Sequence, residues 1–98
     1  MDMNVKISLC MIVKNEEDVI ARCLDSVSRC VDEIIIADTG SSDRTKEICR
    51  DFTDKVFDFE WTDDFAAARN FSFSKATGDY LMWLDADDVV SSENIGLL

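Results

Sequence analysis

The sequence predicts an α/β protein with a Rossmann-like, three-layer α/β/α fold and a mostly parallel sheet. The hydrophobic pattern switches repeatedly between short apolar runs and segments of helical period, which is typical of alternating strands and helices. The first run, Ile7–Val13, is almost unbroken, as expected for a central strand covered on both faces. A chain of 98 residues suffices for one domain, so we expect a single unit over residues 1–98.

A helix and a second strand are predicted next. Apolar residues recur with helical spacing over residues 15–29, and Asn15 is the expected N-cap of this helix. The second strand covers residues 34–37, where three isoleucines and an alanine precede Asp38. The turn chemistry of residues 39–42 then separates this strand from the next helix.

The second half of the chain repeats the alternation. A helix over about residues 43–52 precedes a third strand at residues 55–61, whose alternating apolar pattern predicts a position near an edge of the sheet. A third helix follows, capped by Asp63 or Asp64. Gly78 offers the left-handed conformation that often ends a helix, so we expect it to end this one.

Composition excludes several classes of function. A formal net charge of −11 repels nucleic-acid phosphates, so no nucleic-acid partner is expected. No run approaches the roughly 18 apolar residues of a membrane span, and no leader-like segment opens the chain. The four cysteines lack CxxC spacing and are predicted to be buried thiols, which indicates a cytoplasmic protein.

Two acidic residues follow the fourth predicted strand. The apolar run of residues 80–84 ends at Asp85-Ala86-Asp87. Two carboxylates at a strand exit can hold a hard divalent cation that also bridges to substrate phosphates. Because the chain has no histidine, a zinc site is not expected, and Mg²⁺ or Mn²⁺ is the predicted cofactor.

Three polar segments are expected to meet at one edge of the sheet. The carboxyl ends of parallel strands share an edge, and open α/β sheets bind ligands in the crevice beyond it. Residues 14–16 follow the first strand, Asp38 ends the second, and residues 85–87 follow the fourth. This convergence predicts a ligand site there.

Four segments resemble the GT-A-fold, family 2 nucleotide-sugar glycosyltransferases. They are ISLCMIVKNEEDVIARCLDSV, EIIIADTGSSDRT, DFAAARN and YLMWLDADD. They occur in the family's order and span nearly the whole chain. The resemblance implies a truncated GT-A-type fold, in which residues 1–98 are the donor-binding portion and the acceptor-binding part is absent.

The resemblance also implies a nucleotide site. Asp38 would bind the edge of a uracil-type base, while Val13, Lys14, Asn15 and Glu16 would frame the base and ribose. The family usually has Tyr-Asn after its first strand, whereas this sequence has Lys14-Asn15. Aromatic stacking is therefore not expected from position 14.

The phosphates and the metal complete the implied site. Arg69 of the DFAAARN segment would face the donor diphosphate through paired, charge-assisted hydrogen bonds. Asp87 would bind the metal directly, and Asp85 would contact the ribose or the metal through water.

The implied reaction is transfer of a sugar from a nucleoside diphosphate, UDP favoured, to the hydroxyl of an unknown acceptor. Family members of this type invert the anomeric centre with a carboxylate base from the acceptor-binding half. These 98 residues alone are therefore expected to be inactive.

Other interpretations of the same residues stay open. Asp85-Ala86-Asp87-Asp88-Val89 fits the DxDxV nucleophile motif of haloacid-dehalogenase-like phosphatases, although that motif normally follows the first strand. A non-enzymatic, flavodoxin-like receiver module would use strand-end acids as a phosphoacceptor pocket, but no lysine clearly follows a late strand. The DTGSS stretch also matches aspartic proteases, whose β-rich fold the helical patterns disfavour.

Overall fold

A computed structural model gives the fold of residues 5–84. Strands and helices alternate strictly along this part of the chain. The elements are β1 (Ile7–Val13), α1 (Ile20–Val27), β2 (Glu33–Asp38), α2 (Thr45–Arg50), β3 (Val56–Asp58), α3 (Phe65–Lys75) and β4 (Tyr80–Trp83).

The four strands form one parallel sheet in the order β3-β2-β1-β4. The predictions of a parallel α/β sheet, a central first strand and an edge third strand are confirmed. Val13 pairs with Asp38 in register, and Cys10 pairs with Trp83. The last residues of β1 and β2 therefore lie side by side at the C-terminal edge of the sheet.

Helices α1 and α2 cover one face of the sheet. Alternate residues of β1 point to this face, and they join apolar residues of α1, β2 and α2 in one buried cluster. The buried members are Leu9, Met11, Val13, Ile20, Cys23, Leu24, Val27, Ile34, Ile36 and Cys49. Burial of this apolar stripe stabilises α1, which has neither an acidic first turn nor a side-chain cap.

Helix α3 covers the opposite face. Its small residues Ala68 and Ser72 are buried, and Cys10 donates a hydrogen bond from Sγ to the Ser72 carbonyl at 3.8 Å. At the β3 side, the Phe71 ring lies 4.8 Å from the Phe59 ring, measured between centroids. With helices on both faces, the architecture has three layers, as the sequence predicts. No helix within residues 5–84 combines the length and apolar character needed to cross a membrane.

Two local predictions are wrong. Asn15 does not cap α1, because the helix begins at Ile20 and Asn15 itself has a left-handed backbone with φ of +52°. Gly78 is not left-handed, since Gly40 is the glycine with positive φ in the described chain. Gly78 is needed for space: a Cβ there would lie 2.9 Å from both the Lys6 carbonyl oxygen and the Ser8 amide nitrogen.

The predicted cap of the third helix is confirmed as Asp64. Its side chain accepts a hydrogen bond from the Ala67 amide at 3.1 Å and so satisfies one of the free donors at the helix N-terminus. Asp63, the alternative, has a left-handed backbone instead, with φ of +61°.

Candidate functional site

The C-terminal edge of the sheet is extended beyond the strands by hydrogen bonds. The Thr39 amide donates to the Val13 carbonyl at 3.0 Å, so β1 and β2 remain paired after Asp38. On the other side of β2, the Phe59 amide donates to the Asp38 carbonyl at 2.8 Å. Asp38 therefore lies between the ends of β1 and β3 at this edge.

The segment after β1 is fastened to the rim loop, residues 39–42. The Asn15 amide donates to Ser41 Oγ at 2.9 Å, and the Ser42 amide donates to Asn15 Oδ1 at 2.8 Å. The Glu16 amide donates to Thr45 Oγ1 at 2.8 Å. Because the Asn15 side-chain oxygen accepts from the rim loop and the Asn15 amide donates to it, this residue holds the two segments together.

Asp38 ends β2 with an unevenly satisfied carboxylate. The residue is only 2% exposed, and its Oδ1 accepts hydrogen bonds from the amides of Gly40, at 2.9 Å, and Ser41, at 2.8 Å. Gly40 reaches this position with φ of +117°, which a side chain would strain. Asp38 Oδ2 is buried without a hydrogen-bond partner among residues 5–84. A buried acceptor left unpaired costs about 1–3 kcal/mol, so this oxygen is ready for a donor.

Two cavities open at this edge. The Asp38 cavity, of about 340 Å³, is lined by Asp38 and Gly40 and by the end of β3 with the residues after it. The Lys14 cavity has a volume of about 240 Å³. It is lined by the residues around the end of β1 and by Thr39, Trp61 and Phe65; the β1-side residues are Ile12, Val13, Lys14 and Glu16. Thr39 and Trp61 line both cavities, so the two are neighbours.

The structure brings most of the predicted donor-site residues to this edge. Val13, Lys14 and Glu16 line one cavity and Asp38 lines the other. Arg69 is exposed on α3, with its guanidinium carbon 5.7 Å from the centroid of the Phe65 ring. Phe65 lines the Lys14 cavity, so Arg69 lies next to a residue of that cavity.

The predicted metal ligands Asp85 and Asp87 lie outside the described residues. In the described range itself, no group of three or more His, Cys, Asp or Glu side chains could hold a metal ion. The metal site stays a prediction from the sequence.

Three of the four cysteines are buried as predicted, whereas Cys30 is partly exposed. Burial raises the pKa of the Cys10 thiol to about 11, with a smaller contribution from the charge of Glu33. Burial, assisted by the charges of Asp38 and Cys23, raises the pKa of Cys49 to about 12. Such thiols stay protonated and unreactive at neutral pH.

Two aromatic residues of the site were not predicted. Trp61 and Phe65 line the Lys14 cavity and are 39% and 48% exposed. The alternating pattern of residues 55–61 predicts one strand through Trp61, but β3 ends at Asp58. A large aromatic residue beyond the end of a strand is a signal that could have indicated an exposed aromatic side chain at this edge of the sheet.

Comparisons with known proteins agree with this fold. The sequence matches the family described as glycosyl transferase family 2 over residues 8–98. It is 49% identical to a TPR repeat-containing protein of Synechococcus elongatus and 41% identical to the SPbeta prophage-derived glycosyltransferase SunS of Bacillus subtilis. These alignments cover 85% and 88% of this chain, but the chain spans only 21% of the length of each relative.

Solved structures share the architecture. S. aureus TarS superposes with a TM-score of 0.78 at 23% identity, covering 93% of this chain and 30% of TarS. Glucosyl-3-phosphoglycerate synthase of Mycobacterium tuberculosis, in complex with uridine diphosphate, superposes with a TM-score of 0.75 at 26% identity. That match covers 88% of this chain and 35% of the synthase. These neighbours show the GT-A fold, and the match over residues 8–98 shows that the chain belongs to glycosyl transferase family 2.

Proposed function

We propose that this chain binds the donor of a metal-dependent glycosyltransferase, a uridine diphosphate sugar, at the C-terminal edge of its sheet. The transfer proceeds to an acceptor hydroxyl with inversion, and the catalytic base lies outside residues 1–98. Structures of the M. tuberculosis synthase in complex with Mn²⁺ and UDP-glucose, or with Mg²⁺ and UDP, support this choice of ligands. The cytoplasmic location stays a prediction.

The free oxygen of Asp38 is the observation that carries the proposal. The uracil N3–H is a donor, and Asp38 Oδ2 is an acceptor without a partner among the described residues. Its partner oxygen Oδ1 is held by two backbone amides, so the carboxylate keeps one orientation. Because Asp38 is almost fully covered, the uracil reaches Oδ2 only after a small movement of the rim loop.

Most of the other donor-site residues keep the roles implied by the family. Val13, Lys14 and Glu16 frame the base and ribose at the Lys14 cavity. Asn15 contributes indirectly, because its side chain is hydrogen-bonded to the rim loop. Arg69 faces the diphosphate, where its planar guanidinium can pair with two phosphate oxygens.

Asp85 and Asp87 would hold the divalent cation. Carboxylate oxygens are the ligands that Mg²⁺ and Mn²⁺ prefer, and the strand that precedes these residues, β4, ends at the same edge as β1. A bound cation acts as a Lewis acid and neutralises the charge of a departing diphosphate. The protein's own residues bind and orient the nucleotide.

The family match argues against the phosphatase and receiver alternatives. It covers residues 8–98 and assigns the chain to glycosyl transferases. In addition, Asp85-Ala86-Asp87 follows β4, an edge strand next to β1, rather than the first strand.

Calorimetric titration of the chain with UDP tests the proposal. We expect binding in the presence of Mn²⁺ and its loss after EDTA. Asp87→Ala should reduce the affinity for UDP at least about tenfold, because a bridging cation between acid and phosphate would be lost.

The matched control is Asp54→Ala, which removes an equal charge at the opposite edge of the sheet. It should bind UDP like the wild type. A folded wild-type chain that ignores UDP with and without Mn²⁺ would overturn the proposal, as would equal losses in both variants.

A further inference from the structure

The geometry points to Trp61 as the aromatic platform of the nucleotide site: its indole ring stacks on the base whose edge Asp38 binds. This inference rests on the proposed function, because the stacked ring is the uracil of the proposed donor. It adds a binding residue that neither the family resemblance nor the sequence pattern assigns.

Trp61 lies in the segment that runs beside Asp38. Trp61 follows Phe59, whose amide donates to the Asp38 carbonyl at 2.8 Å, so this segment runs beside Asp38. Trp61 also lines both cavities, and the other residue common to them is Thr39. A planar base is bound by hydrogen bonds at its edge and by stacking on its face. Asp38 and Trp61, which line one cavity together, can provide these two contacts.

The orientation of the indole is fixed by its own hydrogen bond. Trp61 Nε1 donates to Asp63 Oδ1 at 3.1 Å. Asp63 has a φ of +61°, an uncommon conformation for a residue other than glycine, and the next residue, Asp64, caps α3. The ring is thus tied to the start of a helix, and its polar atom does not depend on a ligand.

The two tryptophans of the chain differ in how their rings are used. Trp83 packs edge-on against Phe65 and Phe73, with centroids 5.9 and 5.7 Å apart, and is half-buried. Trp61 has no ring contact of this kind in the described chain and is 39% exposed beside a cavity. Lys14, in the Lys14 cavity, brings a cation rather than a ring. Phe65, which also lines the Lys14 cavity, packs against Trp83, and Phe59 of the Asp38 cavity packs against Phe71. Trp61 is therefore the aromatic residue of the two cavities whose ring has no aromatic partner in the described chain.

Fluorescence in a Trp83→Phe background tests the assignment, because Trp61 is then the sole tryptophan. We expect UDP with Mn²⁺ to quench Trp61 emission and inorganic pyrophosphate, which has no base, to leave it unchanged. Calorimetry on the wild-type background should show that Trp61→Ala weakens UDP binding about 10- to 100-fold, in the range of base–aromatic stacking. Trp61→Phe retains a ring and should lose less than about fivefold.

The outcomes separate this inference from the proposed function. If the wild type binds UDP while Trp61→Ala binds it equally well, or if UDP leaves Trp61 emission unchanged, the inference is wrong and the proposed function stands. If the wild type binds no UDP, both are wrong. Equal losses for UDP and pyrophosphate in Trp61→Ala would indicate a general disturbance of the loop and would also contradict stacking.

Discussion

The two ends of β2 carry buried carboxylates that differ in how fully their oxygens are hydrogen-bonded. Glu33 begins the strand and is 6% exposed, and Asp38 ends it and is 2% exposed. Every oxygen of Glu33 is hydrogen-bonded, whereas one oxygen of Asp38 has no partner in the described chain. Buried polar groups in folded proteins are nearly always paired, and the unpaired oxygen of Asp38 is the exception on which the proposed nucleotide site rests.

The Glu33 end is a closed structural cluster. Its Oε1 accepts from Ser8 Oγ at 2.7 Å and from the Thr77 amide at 2.8 Å. Its Oε2 accepts from Thr77 Oγ1 at 3.0 Å and from Lys55, with Lys6 3.9 Å away. A cavity of about 330 Å³ lies beside this cluster, but no acceptor of Glu33 is left for a ligand.

The cluster ties the start of β4 to the centre of the sheet. Thr77 precedes β4, Ser8 lies in β1, and Glu33 opens β2. The Gly78 amide also donates to Ser8 Oγ at 2.9 Å. Glu33 therefore stabilises the strand arrangement, while Asp38 keeps one carboxylate oxygen unpaired in the described chain.

The largest expected effect on stability is that of Glu33→Ala. The variant leaves the Thr77 amide and the Ser8 hydroxyl without their acceptor and removes the partner of two lysines. Since both lysines are partly exposed, they can be solvated, and we expect a loss of about 2–4 kcal/mol in the free energy of unfolding. Urea denaturation at pH 7 measures it. A loss below about 1 kcal/mol would mean that the cluster is not structural.

Gly78→Ala should be next in size. Its Cβ would crowd the Ser8 hydroxyl and the Lys6 carbonyl, and so disturb the cluster without removing a charge. We expect about 1–3 kcal/mol of destabilisation, as for other overpacked sites. Gly40→Ala is the control at the other end of β2, where a Cβ meets nothing within 4 Å and only backbone strain of about 1 kcal/mol is expected. Equal losses would contradict the steric account of Gly78.

The stabilisation by Glu33 should depend on pH. Burial raises the pKa of Glu33, but hydrogen bonds from Lys55, Thr77 and Ser8 outweigh burial and lower the pKa to about 2, from 4.5. A lowered folded-state pKa means that the stabilisation is complete above pH 4.5 and is lost as the pH falls from 4.5 towards 2. The difference in urea midpoint between wild type and Glu33→Gln should therefore be largest at neutral pH and shrink across that window. A difference independent of pH would exclude a contribution from the charge.

The smallest expected effect is at Asn15, which fastens the rim loop. Glycine accepts the φ of +52° without strain, so Asn15→Gly isolates the hydrogen bond from the Ser42 amide and should cost about 1 kcal/mol or less. Asn15→Ala adds strain, which the greater freedom of glycine in the unfolded chain offsets in part, so this variant should be less stable than Asn15→Gly by about 0.5–1 kcal/mol. The two urea midpoints measure this difference. A glycine variant as unstable as the alanine variant would show that strain at position 15 is unimportant.

Local patterns predicted the elements and the position of Asp38, because strand ends and turns are short-range features. The parallel sheet, the central first strand and the Asp64 cap all follow from residues close in sequence. Asn15 was misassigned because its partner, Ser42, is 27 residues away. An asparagine can either cap the helix that follows it or bind a loop that is distant in sequence, and the local sequence does not distinguish the two roles.

The roles of Glu33 and Trp61 were not predictable for the same physical reason. Glu33 looks like an ordinary polar residue before an apolar strand, and its partner Thr77 is 44 residues away. Trp61 belongs to an alternating apolar pattern in the sequence, but the strand itself ends at Asp58. Satisfaction of a buried carboxylate and exposure of a ring depend on tertiary contacts, which no short sequence window contains.

The most direct test of the account is the affinity for UDP and for CDP of the wild type and of Asp38→Asn. In the variant the two loop amides hold the side-chain oxygen, so the amide nitrogen takes the position of Oδ2 and meets uracil N3–H as a donor. We predict a roughly 10- to 100-fold loss of UDP affinity and a shift in preference towards CDP, whose N3 is an acceptor. Unfolding should change by less than about 1 kcal/mol, since both loop hydrogen bonds remain. An Asp38→Asn variant that binds UDP as tightly as the wild type would contradict the account.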